Sequence, residues 1–150
     1  RNERLFHVGR LDRESEGLIL LTNDGNLTHR ATHPSYGMLK KYLVELEGAF
    51  TKENIEALLK GVILEDGMAR ALDVKIIREV NSKHHWVEVA IHEGRFHIIR
   101  RMFEFLEIEV LRLIRTDFGP ISIGDTKEGR WRVLNSVEVD NLFIDLKLKP

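Results

Sequence analysis

The chain has 150 residues, a length that suits a single domain with a sizeable buried core. Lys and Arg number 23 and Asp and Glu 24, so the formal net charge is −1, and 43% of the residues are hydrophobic. This balance excludes a histone-like polycation and a disordered acidic tail. The absence of cysteine excludes disulfides, a thiolate zinc site and a thiol nucleophile. No apolar run approaches the roughly 20 residues that span a bilayer, so we expect a cytoplasmic protein without a membrane partner.

The charges are unevenly distributed along the chain. Residues 45–94 carry an excess of acidic side chains, whereas residues 1–44 and 95–132 each carry a small excess of basic ones. A basic face could bind a polyanion, although an excess this small is equally consistent with ordinary variation in sequence.

The first half of the chain predicts short strands and two helices. Residues 17–22 form an apolar run that predicts a buried strand, and Asn23-Asp24-Gly25 predicts a turn. Asn26 is expected to cap a helix through Thr32 that ends before Pro34. Residues 41–47 alternate as in a half-buried strand, with Tyr42, Val44 and Leu46 on one face. Thr51 then begins an amphipathic helix that ends at Gly61.

The second half mixes further strands with helices. Residues 70–80 and 84–92 predict a strand pair, and a helical apolar stripe follows Gly94, running from Phe96 to Leu106. Strands are expected at residues 110–115, 121–123 and 130–134, with a turn at Gly119-Pro120, and Asn135 opens a last helix to about Leu146. Because these elements do not alternate regularly, they predict an α+β fold with a mixed, mostly antiparallel sheet flanked by helices.

The loop around Asp12 is the densest candidate for chemistry. Arg10 and Arg13 flank this aspartate, and nearby cations favour an ionised carboxylate, which can act as a nucleophile or as an electrostatic stabiliser. The alternative is structural, because an Asp in a glycine-containing loop commonly caps a turn.

Four segments in order resemble the rRNA pseudouridine synthases, in particular the branch that modifies single uridines in the small or large ribosomal subunit. The segments that carry the resemblance are Gly9-Arg10-Leu11-Asp12 with residues 15–25, Lys41-Tyr42-Leu43-Val44, residues 93–103 from Glu93-Gly94-Arg95 onward, and Leu113-Ile114-Arg115-Thr116 with residues 119 and 129–134. The resemblance covers nearly the whole chain, so it implies a pseudouridine synthase catalytic domain over residues 1–150. It also implies that a further N-terminal strand and an upstream RNA-binding domain are missing from this sequence.

The resemblance implies an enzyme that isomerises a uridine of ribosomal RNA to pseudouridine, with the large subunit slightly favoured. It assigns the catalytic carboxylate to Asp12, the tyrosine that packs on the target base to Tyr42, and the basic partner of the carboxylate to Arg100. The candidates for contact with RNA phosphates are Arg10, Lys40, Lys41, Arg95 and Arg101. The reaction needs no cofactor, no nucleotide and no metal, and we expect a monomer.

The apolar stripe from Phe96 to Leu106 partly supports, independently of the resemblance, the assignment of Arg100 as the basic partner of Asp12. Arg100 lies just beyond one edge of the apolar arc, where its stem can cover the core while its guanidinium enters a cleft, and we expect it to point towards Asp12. Arg101 lies past the other edge and is expected to face RNA or solvent.

Three alternatives remain open from the sequence. Ile98 stands where the resembled family usually has Gln, so the chain could be an inactive RNA-binding module of the same fold. Tyr42 could simply be a core residue of its strand. His29 and His33 have the spacing of a zinc pair, although the intervening glutamate of the hydrolase motif is absent.

Overall fold

The computed structural model describes residues 4–33, 37–95 and 97–148. The strands are β1 (Phe6–Val8), β2 (Glu16–Gly17), β3 (Leu20–Thr22), β4 (Lys40–Glu47), β5 (Val62–Leu64), β6 (Gly67–Ala69), β7 (Asp73–Asn81), β8 (His84–Ile91), β9 (Glu109–Phe118) and β10 (Ile121–Ser122). The helices are α1 (Gly25–Thr32), α2 (Lys52–Lys60), α3 (Ile98–Phe105) and α4 (Ser136–Asp145). None of these helices is long and apolar enough to cross a membrane.

The main sheet has the order β10-β9-β4-β8-β7, and all of these neighbours are antiparallel. The short strand β2 adds to β9 in parallel, and two small antiparallel pairs, β1 with β3 and β5 with β6, lie outside this sheet. The predicted α+β class, with a mostly antiparallel sheet and flanking helices, is confirmed.

Two hydrophobic clusters hold the elements together. The larger lies on the face of the sheet where alternate residues of β4 and β8 point, and it includes Val44 and Leu46 with α2 and α3. The smaller joins α1, α4 and the β1–β3 pair to Phe118 and Ile121 at the end of β9 and in β10. A cleft lies where the two clusters meet, and its walls come from both of them.

Several predicted elements are confirmed with small changes in their bounds. Thr51 caps α2 through a capping box with Asn54, and Asn135 caps α4 in the same way with Glu138. Asp24, rather than Asn26, caps α1, because its carboxylate accepts from the amides of residues 26 and 27. Phe96 and Pro34, on which two of the expectations depended, lie outside the described residues.

Other expectations about secondary structure are wrong. Residues 17–22 form two separate short strands, because the segment pairs first with β9 and then with β1. Residues 130–134 form no strand, and Trp131 and Val133 are exposed there. The helix after Gly94 begins only at Ile98, and Phe105 faces solvent instead of widening its buried stripe. The β5–β6 hairpin was not predicted, because strands of three residues carry too little periodicity.

Candidate active site

The cleft between the two hydrophobic clusters has a volume of about 150 Å³. It is smaller than the roughly 300–1,000 Å³ of pockets that hold drug-sized ligands, so it suits a group about the size of one flat ring. Its walls are lined by residues from the Asp12 loop, β4, the segment before α3, and β9: Gly9, Arg10, Leu11, Asp12, Ser15, Lys40, Tyr42, Gly94, Arg95, Ile98, Leu113, Arg115 and Phe118, with Ala31, Thr32 and Ile99.

Asp12 lies in the loop that connects β1 to β2. A turn fixes this loop, because the amide of Ser15 donates to the carbonyl of Asp12 at 2.9 Å. The carboxylate is partly exposed on the cleft, and its Oδ1 lies 3.7 Å from Nε2 of His97. A protonated His97 would therefore add a cation beside the carboxylate.

Tyr42 lies on β4, directly opposite Arg115 in the pairing of β4 with β9. Burial raises the pKa of Tyr42, the neighbouring Arg115 guanidinium partly opposes that increase, and the Asp12 carboxylate adds slightly to it. Tyr42 is therefore a neutral phenol at pH 7, with its ring in the wall of the cleft. A neutral, partly buried ring of this kind can pack on a flat base.

Arg115 is one of two buried polar or charged side chains in the described residues, with an exposed fraction of 3%. Its Nε donates to the carbonyl of Leu18 at 2.9 Å, and its guanidinium carbon lies 5.3 Å from the centre of the Phe118 ring. Nη2 is buried and has no hydrogen-bond acceptor among the described residues. Arg115 lies within one of the motifs that carry the family resemblance, but its residue type and spacing alone indicate no role.

The side chain of Arg100 binds a backbone carbonyl of the Asp12 loop and not the Asp12 carboxylate. Its Nη2 donates to the carbonyl of Glu14 at 2.8 Å, and within the described ranges no ion pair shorter than 4.0 Å joins it to Asp12. Arg100 therefore points towards the loop that carries Asp12, as expected, but it does not contact the Asp12 carboxylate. Its role as the basic partner of Asp12 stays a prediction.

The cations predicted to contact phosphates divide into two sets. Arg10 and Lys40 line the cleft, and burial, together with the nearby Arg115, lowers the pKa of Lys40. Lys41 lies beside them on β4 but does not line the cleft.

Arg95 and Arg101 are bound by a carboxylate of the β5–β6 hairpin. The two terminal guanidinium nitrogens of Arg101 donate to the Asp66 carboxylate, at 2.8 and 3.1 Å, and Arg95 donates to the same carboxylate at 3.0 Å. Arg95 also contacts Glu93 and donates to the carbonyl of Met68. The expected contact of Arg101 with RNA stays a prediction, and in this structure two of its donors bind Asp66.

Comparison with known proteins assigns the chain to a family. Residues 1–105 match the family described as RNA pseudouridylate synthase. The chain belongs to the RNA pseudouridylate synthase family. It is 41% identical over 98% of its length to an uncharacterized RNA pseudouridine synthase of Aquifex aeolicus, and 40% identical over its whole length to the ribosomal large subunit pseudouridine synthase B of Pseudomonas aeruginosa. The predicted family is confirmed.

A solved structure extends the similarity to three dimensions. The crystal structure of a pseudouridylate synthase superimposes with a TM-score of 0.81 and 32% identity over 92% of the chain. The chain covers 59% of that protein and of the Aquifex relative, and 39% of the Pseudomonas relative. It therefore spans less than two-thirds of the length of the relatives that it matches.

Two residues of the candidate site were missed by sequence reasoning. His97 lies inside a quoted motif, but nothing in its spacing indicates that the backbone before α3 turns it towards Asp12. Arg115 lies two residues after Leu113 on β9, and this spacing could have indicated that the two side chains share a face of the strand. The sequence could not show that this face closes the cleft.

The histidine pair of the zinc alternative lies on α1 and just after it. The ring centres of His29 and His33 are 5.6 Å apart. Across residues 4–33, 37–95 and 97–148, no group of three or more His, Cys, Asp or Glu side chains is placed to hold a metal ion.

Proposed function

We propose that this protein isomerises a specific uridine of ribosomal RNA to pseudouridine, with Asp12 as the catalytic carboxylate. The observation that carries the proposal is the meeting of Asp12 and Tyr42 in one ring-sized cleft of a pseudouridylate synthase fold. The name of the Pseudomonas relative favours the large ribosomal subunit as the source of the substrate.

The reaction breaks the N1–C1′ bond of uridine, turns the base, and joins C5 to C1′. An ionised Asp12 at the cleft can attack C1′ or remove the 2′ proton, and attack on the base ring is a third route. Tyr42 packs on the uracil and holds it while it turns, after which the C5 proton leaves. The C5 proton passes to solvent and N1 takes up a proton, so the product has the same composition as the substrate and the step requires no oxidant and no second substrate.

The RNA must present the uridine outside its helix, because the cleft accepts a base and not a duplex. Arg10, Lys40 and Lys41 then contact the neighbouring phosphates, whose binding is dependent on salt. We place this monomeric protein in the cytoplasm, where ribosomal RNA is its partner. We also propose that segments of the whole protein beyond this catalytic domain supply much of its RNA affinity.

The test measures tritium release from ribosomal RNA labelled at C5 of uridine. Asp12→Asn replaces the carboxylate by an amide of the same size, so we expect the rate of release to fall by at least about a thousandfold. Asp140→Asn, on the exposed part of α4, is the matched control and should retain the wild-type rate. Full activity in Asp12→Asn would refute the role of Asp12.

The alternative of an inactive RNA-binding module makes a different prediction. It predicts salt-dependent binding of ribosomal RNA by the wild type with no release of tritium at any enzyme concentration. The substitution Ile98→Gln would then be required for tritium release, whereas our proposal expects tritium release from the chain with Ile98.

A further inference from the structure

The guanidinium of Arg115 lies at the base of the cleft without a carboxylate partner within 4.0 Å among the described residues. Its contacts in the protein are the carbonyl of Leu18, the ring of Phe118 and the Tyr42 side chain, with which it shares a side-chain hydrogen bond. Nη2 is buried and has no acceptor among the described residues. The cation therefore lacks both the counter-charge and one of the acceptors that buried arginines normally have.

A buried charge of this kind is costly for the folded protein. Leaving a donor of a charged group unsatisfied costs more than leaving a neutral donor unsatisfied. An acceptor that arrives with the substrate would satisfy Nη2, and a negative charge that forms there during reaction would satisfy the cation.

The surroundings indicate which part of a nucleotide supplies this acceptor. Arg115 is 3% exposed, its guanidinium lies over the Phe118 ring, and Tyr42 is its partner on the neighbouring strand. These two flat rings fit a base, whereas a phosphate retains much of its hydration and stays near exposed cations such as Arg10. The acceptor is therefore a carbonyl oxygen of the base and not a phosphate oxygen.

We propose that Arg115 donates a hydrogen bond to a carbonyl oxygen of the target uracil and stabilises the negative charge that this base acquires. When the N1–C1′ bond breaks, its electron pair stays with the ring and spreads over N1 and the two carbonyl oxygens. C1′ becomes bonded to Asp12, or loses its positive charge through removal of the 2′ proton. A fixed cation at a carbonyl oxygen lowers the energy of this state more than that of the neutral uridine.

If the acceptor is the oxygen at position 4, Arg115 also distinguishes uracil from cytosine. Uracil presents an acceptor at position 4, whereas cytosine presents an amino donor, which would face the arginine donors. The inference rests on the proposed function, because it assigns a role within the same reaction.

The experiment uses the full-length protein and an RNA that the wild type converts. The target nucleotide carries tritium at C5 and is uridine, 2-thiouridine or 4-thiouridine, since a sulfur atom accepts a hydrogen bond more weakly than oxygen. Single-turnover rates are measured for wild type, Arg115→Met and Arg115→Lys, with unfolding temperatures to establish that each variant is folded. Arg78→Met, on the exposed strand β7, is the matched control and should keep the wild-type rate.

We expect Arg115→Met to lower the rate on uridine by about a hundredfold to a thousandfold. At one of the two positions, sulfur should slow the wild type about tenfold to a hundredfold more than it slows Arg115→Met, because only the wild type loses a charged hydrogen bond there. Arg115→Lys should retain part of this difference, since it keeps the charge but not the planar guanidinium.

Equal effects of sulfur in wild type and both variants, at both positions, would overturn the inference while leaving the proposed function intact. Dependence on Arg115 that disappears when a neutral methylphosphonate replaces the 5′ phosphate of the target would also overturn it, because the acceptor would then be a phosphate. Absence of tritium release from uridine by the wild type would instead refute the proposed function, and this inference with it.

Discussion

Gly17 is the position where the structure predicts the largest effect of the smallest change. It lies on β2, opposite Arg115, with a φ of +109°. A Cβ atom there would lie 2.7 Å from the backbone nitrogen of Arg115 and closer still to its carbonyl oxygen. Neither atom can move without separating β2 from β9, so Gly17→Ala must break the pairing that fixes the Asp12 loop to the strand of Arg115.

Gly48 provides a matched control because it has nearly the same φ, +110°, and no heavy atom within 4 Å of its added Cβ. Gly48→Ala should therefore cost only the backbone strain of an L residue at this angle, about 1–3 kcal/mol. Gly17→Ala should cost the same strain and a further 1–3 kcal/mol or so for the collision. We expect its total loss to be about 2–6 kcal/mol.

The assay is equilibrium unfolding in urea, with the free energy of unfolding obtained by linear extrapolation. For a slope of about 2 kcal/mol/M, the collision alone should lower the midpoint by about 0.5–1.5 M relative to Gly48→Ala. If the two variants unfold with free energies within about 0.5 kcal/mol of each other, the close approach of β2 to β9 is not what requires glycine at position 17.

Three further predictions concern stability and RNA binding. Phe103→Ala should lower the free energy of unfolding by about 3–5 kcal/mol, whereas Phe105→Ala, on the exposed side of the same helix, should cost under about 1 kcal/mol; thermal denaturation of both measures the contrast. Asp66→Asn should tighten RNA binding several-fold and steepen its salt dependence, because it removes the negative charge that pairs with Arg95 and Arg101. Fluorescence anisotropy at several salt concentrations measures the affinity, and an unchanged value would contradict the prediction. Arg132 lowers the pKa of Glu138 from an ordinary 4.5 to about 2. The ionised Glu138 therefore stabilises the fold fully above pH 4.5, and this contribution is lost as the pH falls towards 2. In acid unfolding followed against pH, Glu138→Gln should remove the loss of stability in this range.

Local patterns determined the elements whose signals lie within a few neighbouring residues. The alternation of residues 41–47 and 84–92 predicted β4 and β8, because one face of each is buried against helices. Thr51 and Asn135 predicted helix starts, because a capping box requires only residues three apart. The order of the motifs identified the family and brought Asp12 and Tyr42 forward as site residues.

Long-range pairing decided the elements that sequence patterns placed wrongly. Residues 130–134 alternate like a strand but pair with no strand of the described residues, so they form no ladder. Residues 17–22 look continuous, yet the segment changes partners from β9 to β1 at its middle. Periodicity measures which faces are apolar, and it does not say which strand lies next to them.

The composition of the site shows the same division between sequence and tertiary structure. The sequence by itself determined the family, the fold class and the residue types available for chemistry, since these depend on motifs and their order. Only the tertiary structure decided that Arg115 lies beneath the cleft beside Tyr42, that Arg100 reaches the backbone of the Asp12 loop, and that the donors of Arg101 are taken by a carboxylate 35 residues before it in the chain. The direction of a long charged side chain depends on partners distant in sequence, whose positions follow only from the packing of the whole fold.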